Sequence, residues 1–259
     1  MSKRDENRGY LLGLMAGVAF AVTLPATRVA VRALDPVFVG LGRGIGAALL
    51  ATAFLLLTRQ RVPSPTEAKK LVIVAAAVVI GFPLFTASAM RYVDASHGGV
   101  VLGILPLATA AAGFFFSGER PSVRFWLFAL VGTTLVVGYS LSKAGGTLQW
   151  IDLALFAAVV SAAVGYAVGA QLSRSLGGLQ VISWALLFSA PILIVPVVLF
   201  APAMISLPLE SWLGFAYVTV ISQFFAFVPW YRGLALGGIA KVGQTQLLQP
   251  FLTIVLSSS

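Results

Sequence analysis

The run LVIVAAAVVIGFPLFTASAM, Leu71–Met90, has no charged residue and decides what kind of protein this chain is. Its 20 residues would form a helix about 30 Å long, the thickness of the hydrocarbon core of a bilayer. The whole chain is 59% hydrophobic and 10% charged, where soluble domains average about 45–50% and about 25%. A water-soluble fold cannot bury that much apolar surface, so the sequence predicts an all-α polytopic membrane protein.

Similar apolar windows recur along the chain with short connections between them, so any chemistry must lie within the helix bundle. The windows predict nine membrane-spanning helices: Tyr10–Val31, Val37–Leu57, Leu71–Met90, Gly98–Ser117, Phe125–Ser142, Leu153–Leu172, Val181–Phe200, Ser211–Tyr231 and Val242–Leu256. The first is too long for the apolar region of a signal peptide, and we expect it to be an uncleaved helix.

The net charge of +9 reflects 17 Lys and Arg against eight Asp and Glu; all of these cations except Arg43, which lies inside a predicted span, flank the apolar runs, and they form no basic face. This placement is typical of membrane topology signals and argues against nucleic-acid binding. One side of the predicted bundle carries 12 of them: Lys3, Arg4, Arg8, Arg59, Arg61, Lys69, Lys70, Arg120, Arg124, Arg174, Arg232 and Lys241. The other side carries 4: Arg28, Arg32, Arg91 and Lys143. The excess predicts a cytoplasmic N-terminus in a cytoplasmic (inner) membrane.

Prolines interrupt the apolar spans, and each one removes a backbone donor and frees the carbonyl four residues earlier. Such helices bend harmlessly or line a cavity, as the broken helices of transporters do. The spans contain Pro25, Pro83, Pro106, Pro191, Pro196, Pro229 and Pro250. We expect Pro25, Pro106, Pro229 and Pro250 to break helices at a cavity.

The chain contains a weak internal repeat. At an offset of 144 residues, GVVLGILP at Gly99–Pro106 aligns with GQTQLLQP at Gly243–Pro250, each after a span that ends near an aromatic residue and an arginine. A unit of five spans is odd, so two such units would sit upside down relative to each other.

Several short sequences, taken in order, resemble the EamA-like branch of the drug/metabolite transporter superfamily. They are TLPATR at Thr23–Arg28, Arg43, AMRYVDAS at Ala89–Ser96 leading to Pro106, GER at Gly118–Arg120, and RGLAL at Arg232–Leu236 leading to Pro250. The resemblance covers essentially the whole chain. It implies two inverted five-helix repeats, here residues 1–145 and 146–259.

The family pattern has ten helices, whereas nine are predicted here. Gly118 and Glu119 follow Pro106 by 12 and 13 residues, so a second copy would fall at positions 262 and 263, beyond Ser259. We therefore expect the second repeat to lack its tenth helix. By the same resemblance, Glu119 is expected to make a structural contact at the cytoplasmic side.

The sequence does not predict an enzyme, a cofactor or a metal site. It has one histidine, eight carboxylates and no cysteine, and neither H-E-x-x-H nor G-x-S-x-G occurs. The glycines between Gly40 and Gly46, and Gly165 with Gly169, lie in apolar helices and predict close helix packing rather than a nucleotide loop.

Arginines in the membrane are expensive, so Arg43 predicts an ionic partner, a wet cavity, or snorkelling to the outer surface. Arg28 lies toward the same side, and the two arginines are candidates to flank an anionic substrate group. Pairing with Asp35 is the structural alternative. Asp94 and His97, at i and i+3, suggest a proton relay or a solvated surface pair.

Polar side chains on the last two spans predict an inward face. Gln223, Phe227 and Trp230 share one side of their helix, and Val218 is expected to face lipid. Buried amides need partners, so we expect Gln246 and Gln249 to point inward, with Thr23 and Tyr166 as companions. These residues predict a substrate-binding site, although helix-to-helix hydrogen bonding explains each of them equally well.

The sequence thus favours a secondary transporter that exports a small metabolite, amino acid or amphiphilic compound by alternating access. The alternative is a non-transporting membrane scaffold or assembly protein, which needs no wet interior. No nucleotide-binding motif is present. The coupling ion stays open, with a proton as one candidate.

The orientation can be tested by cysteine labelling, because the natural chain has no cysteine. With the N-terminus in the cytoplasm and an odd number of spans, Pro65→Cys should be protected from an impermeant reagent added outside. Ser259→Cys should react with it. Labelling of position 65 from outside would contradict the orientation.

Overall fold

The computed structural model describes residues 3–144, 149–203 and 207–257, and these form a bundle of helices without strands. The α-helices are α1 Lys3–Ala21, α2 Thr23–Ala30, α3 Pro36–Leu57, α4 Pro65–Val74, α5 Phe82–Met90, α6 Ala95–Leu102, α7 Leu105–Ser117, α8 Val123–Ala144, α9 Asp152–Leu176, α10 Gly178–Leu199, α11 Leu209–Tyr217, α12 Phe227–Gly237, α13 Ile239–Gly243 and α14 Gln249–Ser257. Two π-helices, Ala75–Gly81 and Val218–Phe225, and a 3₁₀-helix, Gln244–Leu248, continue α4, α11 and α13.

Seven stretches in the described part of the chain are long and apolar enough to cross a membrane. They are Lys3–Ala30, Pro36–Leu57, Pro65–Met90, Ala95–Ser117, Asp152–Leu176, Gly178–Leu199 and Leu209–Gly237. The two other predicted spans are helical too. Helix α8 contains the shorter apolar stretch Val123–Leu135, and residues 239–257 are divided into three short helices. The all-helical membrane fold is confirmed, whereas nine crossings remain a prediction. The predicted boundary between the halves, at 145 and 146, and Ser259 lie outside the described residues.

Most of the predicted proline breaks occur just before the proline. A π-helix precedes Pro83 and another precedes Pro229, and in the second the Ala226 N–H donates to the carbonyl of Ile221, five residues back, at 2.8 Å. A turn precedes Pro106, and the 3₁₀-helix precedes Pro250. Before Pro250 the tighter turn re-pairs the freed carbonyl, because the Gln249 N–H donates to the Gln246 carbonyl. By contrast, α10 continues through Pro191 and Pro196.

The carbonyl freed by Pro25 is bonded by a side chain from far along the sequence. Pro25 cannot donate to Ala21, and the chain is interrupted at Val22 between α1 and α2. The hydroxyl of Thr253 on α14 donates to the Ala21 carbonyl at 2.9 Å in a buried position. The last described helix therefore stabilises the break in the first.

The two parts of the chain interlock. Helix α3 packs along α10, and α1 packs along α12, so residues before 145 contact residues after 148 over the length of the bundle. In the same way α9 packs against α5, α7 and the π-helix Ala75–Gly81. Neither part forms a separate body, and the interior lies where their broken helices meet.

Small residues set the closest of these contacts. A Cβ added to Gly9 on α1 would lie 2.7 Å from the Cα of Gly237 on α12, so the two backbones touch. Gly169 contacts the Tyr231 ring, and Gly40 lies against the backbone at Leu84. Helix packing is therefore the confirmed role of these glycines.

Gly9→Ala tests the backbone contact between α1 and α12. Because the added methyl group meets main-chain atoms that cannot rotate away, the unfolding free energy should fall by about 1–3 kcal/mol. The matched control is Gly138→Ala on α8, where nothing lies within 4 Å of the added Cβ. It should leave stability unchanged or raise it by about 0.5–1 kcal/mol. Thermal unfolding in detergent provides the comparison, and an equal effect of both substitutions would contradict the packing argument.

Candidate functional site

A hydrogen-bonded chain of polar side chains lies inside the bundle, centred on Ser222. Arg43 on α3 donates from Nη2 to the Ser222 hydroxyl at 2.7 Å, and the Thr23 and Ser222 hydroxyls are 2.8 Å apart. Thr23 stands at the start of α2, beside the proline break, and Ser222 lies in the π-helix Val218–Phe225. Arg43 is only 2% exposed. Its side chain does not snorkel to the surface, so this arginine, which the sequence places inside a span, carries its charge in the interior of the bundle.

Aromatic rings surround this chain. Tyr166 and Trp230 meet edge to face with centroids 5.1 Å apart, and Phe20 packs edge to face on Phe227 and Trp230 at 5.3 and 6.0 Å. The Tyr166 hydroxyl lies within electrostatic reach of the Arg43 guanidinium. These rings join the arginine to an apolar wall formed by α1, α9 and α12.

Three glutamine side chains lie in or beside the same interior region. Gln223 is fully buried and donates from Nε2 to the Val78 carbonyl in the first π-helix at 3.1 Å. Gln246 in the 3₁₀-helix is 1% exposed, and its amide approaches the Tyr166 hydroxyl without a hydrogen bond of normal geometry. Gln249, one turn further, is half-buried. The carbonyl of Gln246 freed by Pro250 accepts from the Gln249 N–H instead.

Several buried polar atoms in this region have no protein partner. They are the Nε of Arg43, the Oε1 of Gln223, the Nε1 of Trp230, both amide atoms of Gln246 and the Nε2 of Gln249. Unpaired buried groups cost about 1–3 kcal/mol each, and native structures contain few of them. We call Thr23, Arg43, Tyr166, Ser222, Gln223, Trp230 and Gln246 the polar centre.

The polar centre is closed, since none of its residues is more than 3% exposed. A cavity of about 580 Å³ lies between α9, α10 and α12 and is lined by Arg174, Gln180 and Arg232 among others. Another of about 500 Å³ lies at the other end of the bundle, where Asp35, Ser88 and Arg91 line it. Neither lining includes a residue of the polar centre, so protein separates it from both openings.

Arg28 does not join the polar centre. It donates to the Met90 carbonyl at 2.6 Å and pairs with Asp94 at 3.3 Å, with 27% of its side chain exposed. Arg91 follows the end of α5 and donates to the Val31 carbonyl, which follows the end of α2. Each of the two arginines therefore hydrogen-bonds to carbonyls at the end of the other arginine's helix. The alternative pairing with Asp35 does not occur either, since Arg28 pairs with Asp94 and Asp35 accepts from the Val37 N–H at the start of α3.

The predicted pair of Asp94 and His97 is also wrong. His97 Nε2 lies 2.6 Å from Asp152 Oδ1, and the Gln149 N–H donates to the other oxygen of Asp152 at 2.8 Å. This pair joins the start of α6 to the start of α9, at the end of the bundle that holds Arg28. Spacing along one helix could not reveal a partner 55 residues away.

The opposite end, which holds Glu6 and the loop before α4, is closed by polar contacts between distant segments. Glu119 accepts from the N–H groups of Ile239 and Ala240 at 2.7 and 2.8 Å, which confirms its predicted structural contact. Glu67 binds Arg61 through both oxygens and accepts from Ser175 at 3.1 Å. The hydrogen bond from Arg61 to Glu67 raises the pKa of the Arg61 guanidinium.

Two other residues differ from what the sequence predicts. Val218 is fully buried rather than lipid-facing. Ser222, which bonds to both Arg43 and Thr23 in the polar centre, is not among the predicted site residues, although the neighbouring Gln223 is. A serine next to a glutamine in a proline-containing span is the signal that would have pointed to it.

The fold and the closed polar centre are those of a multi-pass membrane protein with a polar interior. The EamA-like transporter family matches residues 7–141 and 149–259, and the chain belongs to that family. It is 45% identical over 251 residues to the Bacillus subtilis (strain 168) protein named uncharacterized transporter YdeK, covering 96% of this chain and 88% of that protein. A solved crystal structure shares the fold with a TM-score of 0.73 at 20% identity, over 96% of this chain and 88% of the other. The protein is thus a membrane transporter by family.

Replacing Arg43 or Arg28 by uncharged methionine should have opposite effects on the stability of the protein. Arg43→Met removes an unpaired buried charge at the cost of one hydrogen bond, so the melting temperature should stay level or rise. Arg28→Met leaves the helix-end carbonyls of Met90 and Arg91 without their donor and should cost about 1.5–3 kcal/mol. Thermal unfolding of both variants checks this. A larger loss for Arg43→Met than for Arg28→Met would show that Arg43 is chiefly structural.

Proposed function

We propose that this protein is a secondary transporter that exports a small metabolite, amino acid or amphiphilic compound across the cytoplasmic membrane. In this proposal the polar centre binds the substrate, and two inverted halves, residues 1–145 and 146–259, alternate between facing the cytoplasm and facing outside. The family match in two stretches, 7–141 and 149–259, supports this division.

The observation that carries the proposal is the set of unpartnered polar atoms in a closed interior. Thr23 and Arg43 come from the first half, and Tyr166, Ser222, Gln223, Trp230 and Gln246 come from the second. A protein that served only as a scaffold would gain stability by replacing these groups with apolar ones. A transporter needs them, because a substrate in the interior supplies the missing hydrogen bonds.

The broken helices support the same mechanism. The π-helices before Pro83 and Pro229 and the 3₁₀-helix before Pro250 border the polar centre through Val78, Ser222 and Gln246. Irregular turns tolerate small changes of backbone dihedral angle better than a continuous α-helix, so they are suitable places for bending. Substrate sites at such breaks, near the middle of the membrane, are a recurring feature of transporters.

Contacts between the halves close both ends and would have to separate one end at a time. At the Glu6 end they include Glu67 with Ser175, Lys70 with Gln171 at 3.0 Å, and Glu6 with Lys241 at 2.8 Å. At the other end they include His97 with Asp152 and the Ser211 hydroxyl with the Val29 carbonyl at 3.0 Å. The contacts of Glu6 with Lys241 and of Glu67 with Ser175 are exposed, so water can replace them at little cost. Asp152 and Ser211 are buried, so separating the other end costs more.

The proposal places proton coupling at one pair of side chains, His97 and Asp152. Among the eight carboxylates, Asp152 alone is buried, and His97 is its partner. Proton movement through this protein would therefore involve that pair.

Gln223→Ala and Trp230→Ala should each reduce transport per folded molecule by tenfold or more, because each removes a buried group of the polar centre. Gln223→Ala also removes the hydrogen bond to the Val78 carbonyl and Trp230→Ala leaves a cavity, so both should lower the yield of folded protein as well. Everted membrane vesicles are incubated with a mixed panel of metabolites, and the amount of each compound taken up is divided by the amount of folded protein. The panel also identifies what wild-type protein carries.

The control variant is Phe225→Ala, in the same π-helix but 51% exposed toward the lipid side. It should transport as wild type does. Unchanged transport per folded molecule in both site variants would refute the proposed cavity lining. Failure of the wild-type vesicles to transport any panel compound would instead favour the scaffold function.

A further inference from the structure

The charge inside the polar centre is unbalanced. Arg43 is the one cationic side chain there, and the guanidinium keeps its proton in proteins. All eight carboxylates stand at helix ends or in loops: Asp5, Glu6, Asp35, Glu67, Asp94, Glu119, Asp152 and Glu210. None of the ion pairs in the described part of the chain includes Arg43.

The hydrogen bonds of Arg43 do not compensate for this charge. Its Nη2 donates to the Ser222 hydroxyl, a neutral acceptor, and its Nε has no partner. A buried guanidinium without a counter-ion is costly, because burial removes the water that would solvate it. The state that relieves this cost is one in which an anion lies against Arg43.

The neighbouring groups fit the rest of such an anion. The indole N–H of Trp230 and the amide N–H₂ of Gln246 are unpartnered donors, and both residues lie beside Tyr166, which also approaches Arg43. Charged and neutral N–H donors on neighbouring residues are the groups that bind a carboxylate. The edge-to-face rings of Phe20, Phe227 and Trp230 form an aromatic wall next to them, on which a flat apolar group can pack against a ring face or edge.

The net charge of the occupied interior distinguishes an anion from a zwitterionic or cationic solute of the same size. A monocarboxylate brings the interior to net zero charge, whereas a zwitterion leaves the excess positive charge and an amine doubles it. In a closed interior of low dielectric constant, like charges repel strongly. The unpartnered Oε1 atoms of Gln223 and Gln246 accept neutral donors such as a hydroxyl or an indole N–H, so they do not require a cation.

We propose that the polar centre binds an organic monoanion, a carboxylate attached to a flat apolar body, with Arg43 as its counter-ion. This inference rests on the proposed transport function and makes the substrate class of that site specific. Arg43 positions the carboxylate, and the aromatic wall binds the body.

The test compares four probes of one shape and different charge, which are phenylacetate, phenylacetamide, 2-phenylethylamine and phenylalanine. Calorimetric titration of the purified full chain in detergent measures binding without transport. Phenylacetate should bind at least about tenfold more tightly than the other three, the gain expected from a charge-assisted pair with Arg43. Tighter binding of the amine or of phenylalanine, or no binding by any of the four, would overturn the proposal.

Two variants assign the preference to the right group. Arg43→Gln should bind phenylacetate and phenylacetamide equally, whereas Ser222→Ala keeps the charge and should keep the preference. If Arg43→Gln elutes as aggregate, Arg43→Lys, which keeps a point charge without the planar fork, should show a reduced but clear preference. A carboxylate preference that survives in Arg43→Gln would overturn the assignment.

The same protein in vesicles separates this inference from the function on which it rests. Carboxylate-selective binding without any transport would contradict the transporter function and leave the anion site standing. Transport of cationic or zwitterionic panel compounds alone would leave the transporter standing and overturn the anion site.

Discussion

Backbone hydrogen bonding within the membrane is the constraint on which the rest of this structure depends. In hydrocarbon no water replaces a lost partner, so each proline in a spanning helix creates a carbonyl that the protein itself must satisfy. The chain satisfies the Gln246 carbonyl with a 3₁₀-turn before Pro250 and the Ala21 carbonyl with the Thr253 hydroxyl, and it has π-turns before Pro83 and Pro229. These solutions place irregular backbone in the middle of the bundle, next to the polar side chains.

The ends and the centre of the bundle follow opposite rules. At both ends charged groups find partners, as Arg28 does with Asp94 and Glu119 does with the N–H groups that begin α13. At the centre Arg43, Trp230 and Gln246 keep polar atoms without partners. Polar groups are therefore satisfied at the ends of the bundle, and some are left without partners where a ligand would bind. This distribution is the usual trade of stability for function in a binding site.

Local sequence patterns predicted the elements well, but they did not predict the partners. Apolar windows located the helices, and prolines located most of the breaks, because both depend on residues close together in the chain. The partners of Thr23, Arg43 and His97 lie 55 to 199 residues away, and no local period encodes them. Val218 was placed on the wrong side for a related reason. In the π-helix residues five apart share a side, so Val218 faces inward with Gln223, whereas α-helical spacing would have separated them.

The contact of Glu119 with Ile239 and Ala240 also has a consequence for biogenesis. The carboxylate leaves the ribosome 120 residues before the first of its two N–H donors. At about 5–20 residues per second, that interval lasts roughly 6 to 24 seconds. During that time the Glu119 carboxylate, just beyond the end of α7, lacks the two α13 N–H groups that it accepts. The contact between the two halves is thus completed by a segment synthesised 120 residues later, and a defect at either end of this contact would appear as the same late failure of membrane folding.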